Sequence, residues 1–335
     1  MLQIRTPYLI FLGEAHDQLA AKTGVGVAEW RRDACVGQMR LPGCKADAGL
    51  PDMTLEEAAE RGAKTLLIGT TTRGGRINAD WQKLMIRAIE LGMDIASGLH
   101  DRVADQPAVA EAAKLHGRTI HDVRHPKGVF PVGTGVKRPG KRVLTVGTDC
   151  SIGKMFTGLA LAREMQARGM KATFRATGQT GILIAGSGIP LDAVVADFIS
   201  GAAEVLCPAN DPDHWDVVEG QATVLHPSYA GVTVGLVMGA QPDAMVMVHE
   251  PTRRTMRGLG DRPVPGIAET IAAHEAAARI TNPAAKVIGI SLNTQHMDAT
   301  AALREIADTE QRFGMPTIDP ARTGCGRIVD VLKAM

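Results

Sequence analysis

Short apolar runs alternate with amphipathic stretches along the first 130 residues. Apolar runs that stop at glycine, proline or polar residues are typical of buried strands. Residues 54–57 (TLEE) form a capping box at the start of a helix, and Leu84, Met85, Ala88 and Leu91 share one helical face. Strands are predicted at residues 8–12, 34–41, 64–68, 93–97 and 119–123. This alternation of strand and helix predicts an α/β fold with an open parallel sheet.

A stretch rich in Pro and Gly, residues 126–141, has no hydrophobic periodicity and is typical of a domain boundary. We therefore predict a first α/β domain over residues 1–130, a linker over 131–141 and a second domain over 142–335. Earlier in the chain, residues 69–76 (GTTTRGGR) follow the third predicted strand. This loop is equally compatible with binding a carboxylate or phosphate and with a plain strand-to-helix connection, because Gly and Thr are ordinary turn residues.

The second domain opens on a strand and loop, VLTVGTDCSIGK over residues 143–154, which a helix with apolar spacing follows at once. Loop N–H groups and the positive end of a helix converge on one point in such an arrangement, which favours a bound phosphate. The loop departs from the common G-x-x-x-x-G-K-[ST] spacing, since Gly147 lies six residues before Gly153 and Met155 replaces the Mg²⁺-binding hydroxyl. The predicted phosphate-binding residues are Gly147, Thr148, Asp149, Cys150, Ser151, Ile152, Gly153, Lys154 and Met155.

Four further strands are predicted in this domain, and each runs into polar residues: 171–174, 215–218, 244–248 and 287–290. The carboxyl ends of parallel strands form the ligand-binding edge of an open α/β sheet, so these loops and the phosphate loop should share one rim. Helices are predicted at residues 190–200, 267–280, 298–313 and 324–335.

Several side chains on this rim are candidates for chemistry. Glu219 follows an apolar strand and precedes glycine, so its charge needs a nearby cation or a substrate proton. His249 is a possible proton acceptor beside arginines suited to carboxylates. Asp197 is equally compatible with a role in the site and with a solvated or helix-capping carboxylate. Cys150 could carry an acyl group, but packing is the commoner role of a small residue in such a loop.

Composition excludes several classes of function. Net charge is +1 and only 3% of residues are aromatic, which gives no basis for binding nucleic acid or an anionic membrane. The five cysteines form no CxxC pair, which argues against a disulfide framework or a zinc site and favours a reducing cytoplasm. No apolar run is long enough to span a membrane, and no signal peptide is recognisable. We expect small-molecule partners and, because symmetric oligomers are common, a homo-oligomer.

The phosphate loop alone resembles that of dethiobiotin synthetase, in which Gly-Thr-Asp opens the motif. A wider set of motifs resembles the D-glutamate N-acetyltransferase family over almost the whole chain. That set comprises residues 147–155, 175–181 (RATGQTG), Asp192 with Asp197, 215–221 (WDVVEGQ), 226–229 (HPSY) and 249–253 (HEPTR). The resemblance implies a Rossmann-like domain ahead of a P-loop domain with a mostly parallel sheet, and acetyl transfer from acetyl-CoA to the amine of a D-amino acid.

This implied activity agrees with the residues. Coenzyme A carries phosphates that such a loop can bind without Mg²⁺, so we expect no metal. Lys154 is predicted to bind phosphate and to take part in catalysis. Glu219 or His249 would be the base that removes the ammonium proton. Arg175 and Arg253 would bind carboxylates, because a guanidinium matches that anion bidentately. The remaining predicted acceptor-binding residues are Thr177, Gln179, Asp197 and Glu250. One alternative is an ATP- and Mg²⁺-dependent ligase or kinase of the dethiobiotin synthetase type, with Mg²⁺ held by Asp149, Asp197 and Glu219. A second is a protein that binds and senses CoA or a nucleotide without turnover, because Met155 also suits a loop that only binds.

Overall fold

The computed structural model describes residues 3–18, 20–70, 77–126 and 128–335. Most of the predicted arginine-containing loop, residues 71–76, lies outside the described residues. The chain forms two compact units, one of Met1–Lys127 with Gly178–Ala193 and the other of Gly128–Thr177 with Val194–Met335. Each unit contains one parallel sheet, which confirms the predicted α/β class. No helix among the described residues is long and apolar enough to cross a membrane.

The strands lie close to the predicted positions, with a short one, β11, added near the end. They are β1 (Tyr8–Gly13), β2 (Cys35–Arg40), β3 (Thr65–Ile68), β4 (Asp94–Ser97), β5 (Ile120–Asp122), β6 (Lys141–Gly147), β7 (Ala172–Arg175), β8 (Trp215–Val218), β9 (Ala244–His249), β10 (Lys286–Leu292) and β11 (Thr317–Ile318). The helices are α1 (Lys22–Trp30), α2 (Leu55–Glu60), α3 (Ala79–Glu90), α4 (Pro107–Leu115), α5 (Lys154–Ala167), α6 (Gln179–Ala185), α7 (Ile199–Leu206), α8 (Ala230–Ala240), α9 (Ile267–Ala278), α10 (Ala299–Phe313) and α11 (Gly326–Ala334).

The first unit has the strand order β2-β1-β3-β4-β5, and every pair is parallel. Its buried core includes Phe11, which contacts Trp81 edge-to-face with ring centroids 5.0 Å apart. Helix α6 belongs to this unit, where Arg31 donates to the Ile184 carbonyl at 2.9 Å. Residues 178–193 belong to the first unit, although the chain on both sides of them belongs to the second, and the predicted domain bounds did not include this segment.

The second unit has the order β11-β10-β9-β6-β8-β7, again with parallel pairs throughout. Strand β6 therefore lies in the middle, between β9 and β8, and the phosphate loop leaves the sheet from its centre. Apolar side chains such as Val143, Val217 and Val246 are buried between the sheet and its helices. Because the strands are parallel, the loops after β6, β8 and β9 emerge at one edge.

The predicted helix over residues 190–200 is wrong. The chain instead makes two short 3₁₀ turns, Leu191–Ala193 and Ala196–Phe198, before α7 begins at Ile199. Residues 193 and 194 lie on either side of the division between the two units, and Val195 is 67% exposed. A single amphipathic helix therefore has no single surface to cover.

The predicted linker packs on the second unit. Glu204 of α7 accepts hydrogen bonds from the backbone N–H groups of Thr134 and Gly135, both at 2.9 Å. Arg138 donates to the carbonyls of Cys207 and Gly239 at 2.8 and 2.7 Å. These contacts fix the segment along α7 and α8, although its sequence shows no periodicity.

Candidate active site

The phosphate loop is a tight turn between β6 and α5. Ser151 and Gly153 have positive φ angles of 53° and 110°, which curl the backbone into a cradle ahead of the helix. Lys154 is 6% exposed, and its Nζ donates to the Asp149 carbonyl at 2.5 Å. Burial lowers the pKa of Lys154 from 10.5 to about 8, against the opposing effect of neighbouring negative groups that include Asp149 and Glu219. An anion in the cradle would meet this lysine inside the protein.

Two glycines allow the close backbone approaches that the site requires. A methyl group on Gly147 would lie 2.7 Å from Ile152 Cδ1 and 3.0 Å from the Val248 carbonyl oxygen. One on Gly220 would lie only 1.6 Å from the Thr145 carbonyl oxygen and 3.1 Å from Lys154 Cδ. The end of β8, which leads into Glu219 and Gly220, therefore lies directly against β6 and close to the Lys154 side chain.

Glu219 is 6% exposed and forms part of a small hydrogen-bonded brace with Thr177. Its Oε2 accepts from the Thr177 N–H at 2.9 Å, and Thr177 Oγ1 donates to the Glu219 carbonyl at 2.9 Å. Gln221 Nε2 donates to the same hydroxyl at 2.9 Å. The structure thus brings two predicted site residues together and shows that Thr177 orients the carboxylate.

His249 ends β9, the strand that pairs with β6 up to the start of the phosphate loop. Its Nδ1 lies 2.9 Å from Thr148 Oγ1, a contact within the predicted site that spacing alone did not reveal. Burial lowers the pKa of His249 from 6.5 to about 4, so the ring is neutral above about pH 5. The other ring nitrogen has no hydrogen-bond partner among the described residues; it offers a lone pair to a ligand when Nδ1 carries the proton and donates to Thr148.

Arg253 secures the phosphate loop. Its Nη1 contacts Asp149 Oδ2 at 3.1 Å and the Cys150 carbonyl at 2.9 Å, and its Nη2 donates to Glu250 Oε2 at 2.7 Å. Asp149 is fully buried, and the same Oδ2 also accepts from the Arg257 N–H at 2.9 Å. The predicted carboxylate-binding arginine is therefore engaged by two carboxylates of the protein itself.

Among the other predicted acceptor-binding residues, the side chains of Arg175 and Asp197 make no hydrogen bond to this cluster within the described residues. Arg175 pairs with the neighbouring strand: its Nε donates to the buried Asp216 of β8 at 2.7 Å. Asp197 lies exposed in a 3₁₀ turn, and Gln179 begins α6 in the first unit. Their roles in acceptor binding stay predictions.

Asp149, Cys150 and His226 place one possible metal-ligand atom each within 4.8 Å of one another. The Ser228 N–H donates to His226 Nδ1 at 3.1 Å, so a neutral ring carries its proton on Nε2. That atom faces Asp149 and has no lone pair for a metal, while Arg253 already neutralises the carboxylate. Burial raises the pKa of Cys150, so the thiol is not activated as an acyl carrier. The group fits a hydrogen-bonded carboxylate better than a metal centre.

The fold and site define the class: a Rossmann-like unit with a P-loop unit in which Met155 stands where the common motif has a Mg²⁺-binding hydroxyl. Residues 131–329 match the family model described as a domain of unknown function (DUF1611_C), a P-loop domain. Residues 39–126 match its companion, the DUF1611_N Rossmann-like domain. The chain belongs to this DUF1611 family. The domain types implied by the sequence resemblance are thereby confirmed.

Two curated relatives match the chain over its full length. A D-glutamate N-acetyltransferase from Tritonibacter scottomollicae is 55% identical, covering 99% of this chain and 100% of the relative. One from Pseudoalteromonas sp. is 45% identical, covering 98% and 99% respectively. The crystal structure of a DUF1611 family protein from Anabaena variabilis has a TM-score of 0.85 at 31% identity, covering 99% of this chain and 100% of the other. The predicted family and the prediction of an enzyme of the N-acetyltransferase class are confirmed.

Proposed function

We propose that this protein transfers the acetyl group of acetyl-CoA to the amine of a D-amino acid, D-glutamate in particular. Support comes from the two full-length relatives that carry the name D-glutamate N-acetyltransferase. The observation that carries the choice of donor is the phosphate loop, which ends in the buried Lys154 and has Met155 where the common motif has a Mg²⁺-binding hydroxyl.

Coenzyme A suits this loop because its phosphates need positive charge and N–H donors but no bound Mg²⁺. In the free protein, Lys154 Nζ contacts a loop carbonyl, a bond that it can exchange for a phosphate oxygen. A phosphoryl-transfer enzyme, by contrast, depends on Mg²⁺ ligands at the corresponding hydroxyl and at nearby acidic residues. Asp149, which could serve such an ion, is held by Arg253 and the Arg257 N–H.

Attack on the thioester requires the free amine, so a base must accept a proton from the substrate ammonium group. Glu219 and His249 are the two candidates. Glu219 supplies negative charge near Lys154, while His249 offers a neutral ring with one nitrogen open to a ligand. The free amine bonds to the carbonyl carbon of the thioester; the C–S bond then breaks, and the surplus proton on nitrogen passes to the departing thiolate, yielding the amide and free CoA thiol.

The acceptor's carboxylates need cationic partners, and Arg253 is the candidate nearest the phosphate loop. Its side chain is 20% exposed, so a ligand can reach it, but it must share or leave Asp149 and Glu250 to bind one. Lys154, which contacts the Asp149 carbonyl, and Thr148, which precedes Asp149 in the loop, would supply donors for the oxygen that becomes negatively charged during attack.

Calorimetric titration tests the donor. Wild-type protein should bind CoA and acetyl-CoA with the same affinity in EDTA and in Mg²⁺, and should bind ATP far more weakly. Lys154→Met serves as the matched control, because it keeps the side-chain volume and removes the charge; it should lose most of the CoA affinity. Tight ATP binding that requires Mg²⁺, with no CoA binding, would replace this proposal with the ligase or kinase of the dethiobiotin synthetase type.

A further inference from the structure

In the phosphate loop, only one of the two carboxylate oxygens of Asp149 accepts hydrogen bonds. Asp149 is fully buried, and its Oδ2 accepts two hydrogen bonds, from Arg253 Nη1 and the Arg257 N–H. Its Oδ1 is buried as well but has no hydrogen-bond partner among the described residues. A buried carboxylate oxygen without a donor costs free energy, so this orientation calls for an explanation.

His226 lies opposite that oxygen. It is 1% exposed, and its Nε2 is 3.9 Å from Asp149 Oδ1, which is beyond hydrogen-bonding distance. Nε2 also has no partner among the described residues. The Ser228 N–H bond to Nδ1 places the proton of the neutral ring on Nε2, so a buried donor faces a buried acceptor across a short gap.

The imidazole is held in this orientation from two sides. The Ser228 N–H fixes Nδ1 at 3.1 Å, and the Tyr229 ring packs on the imidazole with centroids 4.6 Å apart. A displacement of about 1 Å in Asp149 would therefore complete a charge-assisted hydrogen bond to Nε2.

We propose that His226 is a positioning residue that takes over the Asp149 carboxylate when an anionic ligand draws Arg253 away from it. Without this second donor, an arginine that turned to a ligand would leave the buried Asp149 carboxylate with the Arg257 N–H as its remaining donor among the described residues, which would oppose binding. His226 thus allows Arg253 to serve the loop in the free protein and an anion in the complex. The inference rests on the proposed function, since acetyl-CoA supplies the anion.

Two substitutions separate the nitrogens of His226. In His226→Asn, the amide oxygen can replace Nδ1 as the acceptor for Ser228, but the donor toward Asp149 is lost. In His226→Gln, the amide nitrogen can reach the place of Nε2 and restore that donor. We expect His226→Asn to weaken CoA binding about 10-fold to 100-fold, as for loss of a hydrogen bond to a charged group, and His226→Gln to recover most of it.

A double-mutant cycle with Asp149→Asn isolates the contact, and melting temperatures show that each variant is folded. In the Asp149→Asn background, His226→Asn should have almost no further effect on the dissociation constant. Equal losses in both His226 variants, or an undiminished effect of His226→Asn in that background, would show a packing role and overturn the inference.

Pyrophosphate is titrated in parallel as a simple anion. If wild-type protein binds pyrophosphate but not CoA, the proposed donor is wrong, while the pyrophosphate constants of the four variants still test His226. If neither ligand binds to the wild-type protein, or if wild type and His226→Asn bind both equally, the proposed role of His226 is refuted.

Discussion

Replacing Lys154 with methionine should stabilise the free protein while removing its anion binding. The side chain is 6% exposed, and burial lowers its pKa from 10.5 to about 8. At about 1.36 kcal/mol per pH unit, keeping this buried lysine protonated costs about 3 kcal/mol of folding free energy. Methionine fills the same volume without charge, and loss of the 2.5 Å bond to the Asp149 carbonyl offsets about 1 kcal/mol of the gain.

The pH dependence gives the sharper test. Because the folded-state pKa lies below the ordinary value, the unfolded chain binds the proton more tightly, and the penalty is complete below about pH 8. It fades as the pH rises from about 8 to 10.5. The difference in unfolding free energy between Lys154→Met and wild type should therefore shrink by about 2 kcal/mol between pH 7 and 9.5.

Urea denaturation of both proteins across this range measures the difference directly, and titrations common to both cancel. CoA titration of the same samples at pH 7 checks that binding is lost. A variant that is less stable at pH 7, with a gap that does not change with pH, would contradict the account of Lys154 as a buried cation held for a ligand.

Three further predictions concern the rim of the site. Glu219→Gln can still accept the hydrogen bond from the Thr177 N–H but no longer acts as a base, so it should lower kcat by at least about 10²-fold with donor binding nearly unchanged. His249→Asn should lower kcat less. The reverse order in steady-state kinetics would make His249 the base. Activity should persist in excess EDTA, whereas abolition with rescue by Mg²⁺ would favour a nucleotide-dependent reaction. Gly220→Ala should destabilise the fold by about 3 kcal/mol or more in urea, because its methyl group would lie 1.6 Å from a carbonyl oxygen, while the control Gly231→Ala, with open space around it on α8, should be neutral or stabilising.

The strands and the phosphate loop were predictable because their signals are local. Each predicted strand is an apolar run bounded by turn residues, whereas the two-residue β11 is too short to give such a signal. The loop is a contiguous strand, glycine turn and helix. Helix α8 (AGVTVGLVMGA) was missed because it has no polar face to reveal a helical period. Its Gly239 allows close packing on α7, since a methyl group there would lie 2.1 Å from the Ser200 carbonyl oxygen.

The pairing of charges within the site was not predictable from spacing. Arg175 is 41 residues from Asp216, and they meet because β7 and β8 are neighbours in the sheet. Asp149 and Arg253 are 104 residues apart and meet where β6 and β9 end together. Sequence identified these arginines as carboxylate-binding side chains, but which carboxylates they bind in the free protein depends on strand order.

Product formation by the purified protein tests the central claim most directly. The protein is incubated with acetyl-CoA and D-glutamate in EDTA, free thiol is followed with time, and the acetylated amino acid is measured by mass spectrometry, with L-glutamate and Lys154→Met as controls. We predict one N-acetyl-D-glutamate for each thiol released, little product from L-glutamate and none from the variant. Absence of N-acetyl-D-glutamate at every acetyl-CoA concentration, or product only with ATP and Mg²⁺, would contradict the account.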